Sequence, residues 1–385
     1  MHRRDFLAWS AAAAGVAVFA PRHALAGPAA RYSNLLVLVE LKGANDGLNT
    51  VVPFADPTYY ALRPRIGIKR EDVVRLDERF GLHPALEPLL PLWQARELAI
   101  VHGLGYPNPN LSHFRSIEIW DTASRSEEYL DDGWLARAFG AAPAPRSFAA
   151  DGVVIGSNDF GPLAGAGART IALANTEQFA RQAKLAQPVR ASGNAALAHI
   201  LKVESDVAQA ASGLGSGVAL RTEFPQGQFG NAVRTGAQVV ASPAGVAAVR
   251  LTLNGFDTHQ NQPGVHANLL RQLAEGLMAL KSALVELGRW NSTLIITYSE
   301  FGRRALENGS SGTDHGTANA HLALGGRVAG GFYGAAPRLD RLENGNLVHT
   351  VDFRSLYATV LERWWGVPSN AALGGKFASL DFVRA

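Results

Sequence analysis

The chain of 385 residues contains no cysteine. Disulfides, thiolate zinc sites and cysteine-ligated iron–sulfur clusters are thereby excluded, and any bound metal must be held by His, Asp, Glu or hydroxyl oxygens. Charge is also scarce: 18% of residues are charged, against 47% hydrophobic. Such a composition can bury a sizeable core, and the length suits one large α/β domain or two ordinary ones. Neither sign of charge dominates. The formal charge of +3 falls to +1 once the first 26 residues, with Arg3, Arg4 and Arg22 against Asp5, are set aside. A near-neutral body gives no electrostatic case for nucleic acid or an anionic membrane. No internal repeat or long low-complexity linker is visible.

The N-terminus has the order of an export signal. Arg3-Arg4 precedes an apolar run from Phe6 to Ala20, and Ala24-Leu25-Ala26 fits an A-x-A cleavage site. The run is about 15 residues, short of the roughly 20 that span a bilayer. These features predict a twin-arginine signal over 1–26 and a periplasmic mature protein over 27–385, with no stable membrane span. The twin-arginine route carries folded proteins, which suits a metal loaded in the cytoplasm.

Four apolar runs, each followed by a polar or Gly-rich turn, predict buried strands. "NLLVLVEL" (34–41) leads into "KGANDGLN", and "ELAIVHGL" (97–104) into "GYPNPNLSHF". "AAVRLTL" (247–253) leads into "NGFDTHQ", and "STLIITYS" (292–299) into "EFGRR". Unbroken Val/Ile/Leu runs suit strands covered on both faces, as in parallel sheets. Helical patterns alternate with them: "SHFRSIEIWDTA", the long amphipathic 266–287 and "FRSLYATVLERWWG". The predicted fold class is α/β, a doubly wound, mostly parallel central sheet flanked by helices. The stretch from about 141 to 245, rich in Ala, Gly, Ser and Gln, is expected to be a helical cap or insertion.

In open α/β sheets ligands bind beyond the carboxyl ends of the strands. The four strand ends deliver Asp46, Ser112, Asp257 with His259, and Glu300, while "NGSSGTDHGTANAH" (308–321) adds Asp314 and His315. Each has a simpler alternative. Asp46 sits in Asn-Asp-Gly, a strong turn former. Ser112 can be an N-cap, although a helix N-terminus also favours a bound anion. Glu300 with Arg303 can be a structural ion pair, and Asp314-His315 a solvated turn. The convergence of carboxylates and imidazoles at one edge favours a site. His113 is a weaker candidate, His102 a neighbour of the site, and His321 remains open. His83 reads as helix-entry chemistry, and His199, His266 and His349 as surface or helix residues.

The ordered set "GANDGLNTVVP", "SHFRSIEIWDT", "GFDTHQNQ", "SEFGRR", "GTDHG" and "DFRSLYATVLERWWG" resembles the domain-of-unknown-function family 1501, from about residue 34 to the end. That family is placed in the alkaline-phosphatase-like superfamily, with sulfatases and cofactor-independent phosphoglycerate mutases. The resemblance implies one or two divalent metal ions, zinc or manganese, and a Ser or Thr nucleophile. Carried over, Asp46, Asp257, His259, Glu300, Asp314 and His315 are the metal ligands, Ser112 the nucleophile and Arg303 a clamp on a substrate oxygen. The phosphatases space the Asp and His of their pair more widely, and carry Asp-His where Ser299-Glu300 stands here. The implied activity is metal-dependent hydrolysis of a small-molecule or envelope phosphate or sulfate ester. The alternatives are a non-catalytic exported protein that keeps the fold to bind glycan, envelope or a partner protein, and a phospho-headgroup transferase.

Overall fold

The structure, a computed structural model, describes residues 30–173 and 219–384. The expected signal, 1–26, lies outside them. All four apolar runs form strands of one nine-stranded sheet. Its members are β1 (Leu35–Lys42), β2 (Leu98–Gly105), β3 (Ala150–Ile155), β4 (Thr170–Leu173), β5 (Val246–Asn254), β6 (Thr293–Tyr298), β7 (Asn319–Leu324), β8 (Gly331–Tyr333) and β9 (Val351–Asp352). The order is β8-β2-β7-β6-β1-β5-β3-β4, with β9 beside β2. Pairing is parallel throughout, except that β7 runs antiparallel to both β2 and β6.

Side chains alternate across a strand, so β1 feeds two apolar layers at once. Leu35, Val37, Val39 and Leu41 face one layer, and Leu36 and Leu38 the other, all at 2% exposure or less. Among the described residues, five principal helices cover the sheet: α1 (His113–Thr122), α2 (Trp134–Ala141), α3 (Gln228–Ala241), α4 (Gln262–Glu286) and α5 (Phe353–Ala358). The first layer is closed by α3 and α4, whose Leu269, Leu270, Leu273, Leu277, Leu280 and Leu284 recur at helical spacing. The second is closed by aromatic residues of α1, α2 and α5 and the π-helical turn Thr359–Trp365: Trp120, Trp134, Tyr357, Trp364 and Trp365. Each fully buried large aliphatic side chain contributes about 1.5–3 kcal/mol. No helix among the described residues is long and apolar enough to cross a membrane.

The stretch expected to be a helical cap departs from that reading. It supplies β3 and β4 to the main sheet and α3 to one layer, while residues 174–218 lie outside the described part. Asp151-Gly152 disguises β3, because both residues are poor strand formers. Packing overrides the propensity. Asp151 pairs with Arg169 at 2.6 Å, and a Cβ on Gly152 would meet Leu163 at 2.4 Å.

His266 is likewise a core residue, 1% exposed, with Nε2 2.9 Å from the Asn45 amide oxygen. Burial lowers the pKa of four histidines: His83 and His102 to about 4, and His266 and His321 to about 3. In the unfolded chain they titrate near 6.5, so below that pH the unfolded state binds more protons. Their contribution is complete above pH 6.5 and is lost as pH falls toward 4, at no more than about 1.4 kcal/mol per pH unit per histidine. Denaturant midpoints should hold from pH 7.5 to about 6.5 and then fall as pH drops to 5. His321→Phe, which removes one such group beside the Trp120 ring, should flatten that slope. An unchanged slope would remove His321 from the account.

Candidate metal centre

The carboxyl edge of the sheet is tied together by Arg303, which follows β6. Its guanidinium has no exposed surface. It donates from Nε to the Ala44 carbonyl at 2.8 Å and from Nη1 to that of Thr313 at 3.0 Å. Nη2 reaches the carbonyls of Gly43 at 2.5 Å and Phe256 at 3.0 Å, and Asp257 Oδ1 at 2.7 Å. One side chain thus joins the turns after β1 and β5 to the loop that enters β7. Gly43 allows this closeness: it has φ +109°, and a Cβ there would lie 2.5 Å from the Asp257 nitrogen. The expected role of Arg303 as a substrate clamp is therefore corrected, since a fully enclosed guanidinium bonded to backbone carbonyls cannot grip a substrate oxygen.

Asp257 Oδ1 lies among three imidazoles. It is 3.1 Å from His259 Nε2 and 3.4 Å from both His113 Nε2 and His315 Nε2. His259 Nε2 and His315 Nε2 are 2.9 Å apart. The ring nitrogens pointing away are anchored. His113 Nδ1 meets Glu300 Oε1 at 2.7 Å, His315 Nδ1 donates to the Leu111 carbonyl at 2.8 Å, and His259 Nδ1 lies 3.5 Å from Asp314 Oδ1. A carbonyl can only accept, so His315 carries its proton on Nδ1 and offers a lone pair at Nε2. The buried His113 Nε2 has no hydrogen-bond partner among the described residues. Ligand atoms of His113, Asp257 and His315 all lie within 4.8 Å of one another. This donor set can hold a metal ion. Imidazoles oriented from behind by a carboxylate and a backbone carbonyl are the arrangement that metal-ligating histidines use.

The local electrostatics agree. The hydrogen bond that His113 Nδ1 donates to the Glu300 carboxylate raises the pKa of His113. Burial lowers that of His315. Partial burial would raise Asp257, but the Arg303 hydrogen bond and charge outweigh it and hold the carboxyl below its usual range.

The other residues singled out by sequence fall around this cluster in different ways. Asp46 is outside it. Its Oδ1 caps the one-turn helix Gly47–Thr50, accepting from the Leu48 and Asn49 N–H groups at 3.1 and 3.3 Å. Its Oδ2 takes Arg63 Nη1 at 2.6 Å and Gln262 Nε2 at 2.5 Å. Four donors fill the carboxylate, which leaves no lone pair for a metal. Glu300 is 2% exposed and stands behind His113, also accepting the Gly43 N–H at 2.9 Å. Asp314 is at the rim and supports His259. Ser112 is exposed at the N-cap of α1 without making a cap hydrogen bond, between Leu111 and His113. His113, ranked low by sequence, is central. Its signal was its place next to Ser112 at the start of a helix after a strand end.

The sequence profile of a family described as a protein of unknown function, DUF1501, matches residues 99–372. The chain belongs to this family. Within the DUF1501 match lie His113, Asp257, His259, Glu300, Arg303 and His315, whereas Asp46 precedes it. Comparison with curated proteins gives no match. Among solved structures, the chain is similar to the PsFucS1 sulfatase from Pseudoalteromonas sp., at 12% identity and TM-score 0.39, covering 90% of this chain and 70% of that one. It is similar to alkaline phosphatase from the Antarctic bacterium TAB5, at 11% identity and TM-score 0.35, covering 78% and 94%. A third is the C-terminal periplasmic domain of EcEptC from Escherichia coli in complex with Zn, at 9% identity and TM-score 0.34, covering 76% and 72%. At these scores the likeness carries no functional argument.

Glu300→Gln should keep the fold, because the amide oxygen can still accept from Gly43. It should weaken zinc binding by roughly 10- to 100-fold, the usual cost of losing an outer carboxylate. Chelator competition measures this. Equal affinity in parent and variant would show that Glu300 does not serve the metal centre.

Proposed function

We propose that the protein is a metal-dependent hydrolase of phosphate or sulfate esters. The observation that carries this reading is the convergence of three imidazole Nε2 atoms on Asp257, with their Nδ1 atoms held from behind. His113, His259, His315 and Asp257 would hold the ion, and mixed nitrogen and oxygen donors without thiolate suit zinc or manganese. A divalent ion supplies positive charge that lowers the pKa of the attacking hydroxyl and neutralises charge on the transferred group. Glu300 and the Leu111 carbonyl fix the ring planes of His113 and His315. Arg303 keeps Asp257 ionised.

Ser112 is the nucleophile in this reading. It precedes His113 at the start of α1, where free backbone amides and the helix dipole favour the anionic group of an ester. Its hydroxyl spends no hydrogen bond on capping, so Ser112→Ala should change stability by less than about 0.5 kcal/mol. The zinc-loaded variant should lose aryl phosphate or aryl sulfate turnover by roughly a thousandfold or more. Parent-like turnover would assign the attack to water. Absence of turnover of both substrates by the metal-loaded parent would overturn the hydrolase reading itself.

The same reading places the mature protein in the periplasm through the twin-arginine route, on the order of Arg3-Arg4, the apolar run and Ala24-Leu25-Ala26. Replacing Arg3 and Arg4 by Lys should leave an unprocessed precursor in the cytoplasm. Normal delivery of that variant, followed by cell fractionation and immunoblotting, would exclude the route.

A further inference from the structure

Resting on that reading, we infer that Tyr106 and Ser116 are positioning residues of the metal centre: their two hydroxyls, hydrogen-bonded in series, fix the loop that holds His315 against the turn that holds His113. Each of these imidazoles comes from one segment of chain and is held by the other. His113 starts α1, after the loop that leaves β2, but its Nδ1 is anchored at 2.7 Å by Glu300, which follows β6. His315 belongs to the arm that follows β6, but its Nδ1 is anchored at 2.8 Å by the Leu111 carbonyl, in the loop after β2. The ring centres are 4.4 Å apart, with planes at 79°. A slide of either segment along the other would displace both rings at once.

No strand ladder sets that placement directly. β7 lies between β2 and β6 in the sheet, so the strands that lead into the two segments do not pair. Two hydroxyls make the link instead. The Asn110 N–H donates to Tyr106 Oη at 3.2 Å, Tyr106 Oη lies 2.7 Å from Ser116 Oγ, and Ser116 Oγ donates to the Glu300 carbonyl at 2.5 Å. A carbonyl can only accept, so the single proton of Ser116 is spent on Glu300. Tyr106 is then the donor to Ser116, and its longer contact with the Asn110 carbonyl, 3.3 Å, stays unused. The chain of bonds thus runs one way, from the Asn110 amide to the Glu300 backbone. Asn110 Oδ1 extends it by accepting the Ser112 N–H at 2.9 Å.

Burial makes this link stiff. Tyr106 is 3% exposed and Ser116 not at all. The Tyr106 ring is set edge-on against Phe353 in the second apolar layer, with centres 5.7 Å apart, so its hydroxyl is delivered from a packed base. Hydrogen bonds in series away from water strengthen one another. Among the described residues neither hydroxyl bonds an imidazole or Asp257, so both act through Leu111 and Glu300.

Tyr106→Phe removes one oxygen from the chain and keeps the ring. In the metal-free protein, the His315 Nδ1 proton, followed by heteronuclear NMR of the imidazoles, should exchange with water about tenfold faster than in the parent, because its acceptor is held less firmly. In chelator competition the variant should bind zinc about tenfold more weakly, the lower end of the usual cost of losing an outer partner. Ser116→Ala should give the same losses, and the double variant no more than either alone, since both cut one chain. Tyr32→Phe is the control: it removes an equally buried phenol hydroxyl, bonded to the Ala142 carbonyl at 2.5 Å ahead of β1, and should keep both parent values. Parent-like exchange or parent-like zinc affinity in Tyr106→Phe, or equal losses in Tyr32→Phe, would overturn the inference. A parent that binds no zinc would end the hydrolase reading, and exchange in the metal-free protein would still decide the positioning.

Discussion

The bonding of one buried guanidinium holds the carboxyl edge of the sheet in register. Arg303 satisfies carbonyls from three separate loops and the carboxylate of Asp257. A charge with no exposed surface is costly unless it is paired and hydrogen-bonded. Among the described residues, the only anion bonded to it is the residue at the centre of the imidazole cluster. Stability and chemistry are thereby coupled: the contact that makes the arginine tolerable also fixes Asp257 and keeps it ionised. Removing either member would strand the other, so the pair constrains the positions of the β1 turn, the β5 turn and the loop before β7 together.

Three carboxylates at the same edge show how environment divides labour. Asp46 is closed, its four acceptor positions filled by backbone amides, Arg63 and Gln262. It binds the start of α4 to the turn after β1. Asp257 is half exposed, at 49% of its side chain, and faces three ring nitrogens as well as the arginine. Glu300 is intermediate, enclosed but turned toward a histidine. All three are carboxylates that follow a strand end. The direction of the side chain decides which one is closed into the fold, which backs a neighbouring imidazole and which stands open among the imidazoles.

This explains what could be read in advance. The central strands β1, β2, β5 and β6 were legible because both of their faces are buried, which writes an unbroken apolar run into the sequence. β3 was hidden by Asp151-Gly152, and β7 by Asn319 and His321, polar residues whose partners lie far away in the chain. That Asp257, His259 and His315 come together was legible because a carboxylate and two imidazoles stand in turns beyond buried strands. The tasks of Asp46, Glu300 and Arg303 were not, because they depend on partners such as Arg63, Gln262 and Gly43 that only the fold supplies. His113 was undervalued for a related reason. Its importance comes from Glu300, 187 positions later.

The antiparallel placement of β7 has a consequence for how such a site can diversify. In a parallel pair, the connecting segment must cross to the far edge through a helix. β6 and β7 instead are neighbours of opposite direction, so the chain from Ser299 to Ala318 leaves and re-enters the sheet at the same edge. It forms a side arm pinned at its base by Arg303 and the Arg303–His315 bridge. Arg304, Ala305 and Glu307 bond Arg63, Arg65 and Ile66, and the Ser310 and Ser311 carbonyls take the N–H groups at the start of α4, so room for insertion is confined to the exposed turn at Gly309, where doubling a flexible loop costs only about 0.6 kcal/mol in closure entropy. The rim at that turn can therefore be remodelled in length and composition while the buried base of the arm stays as it is.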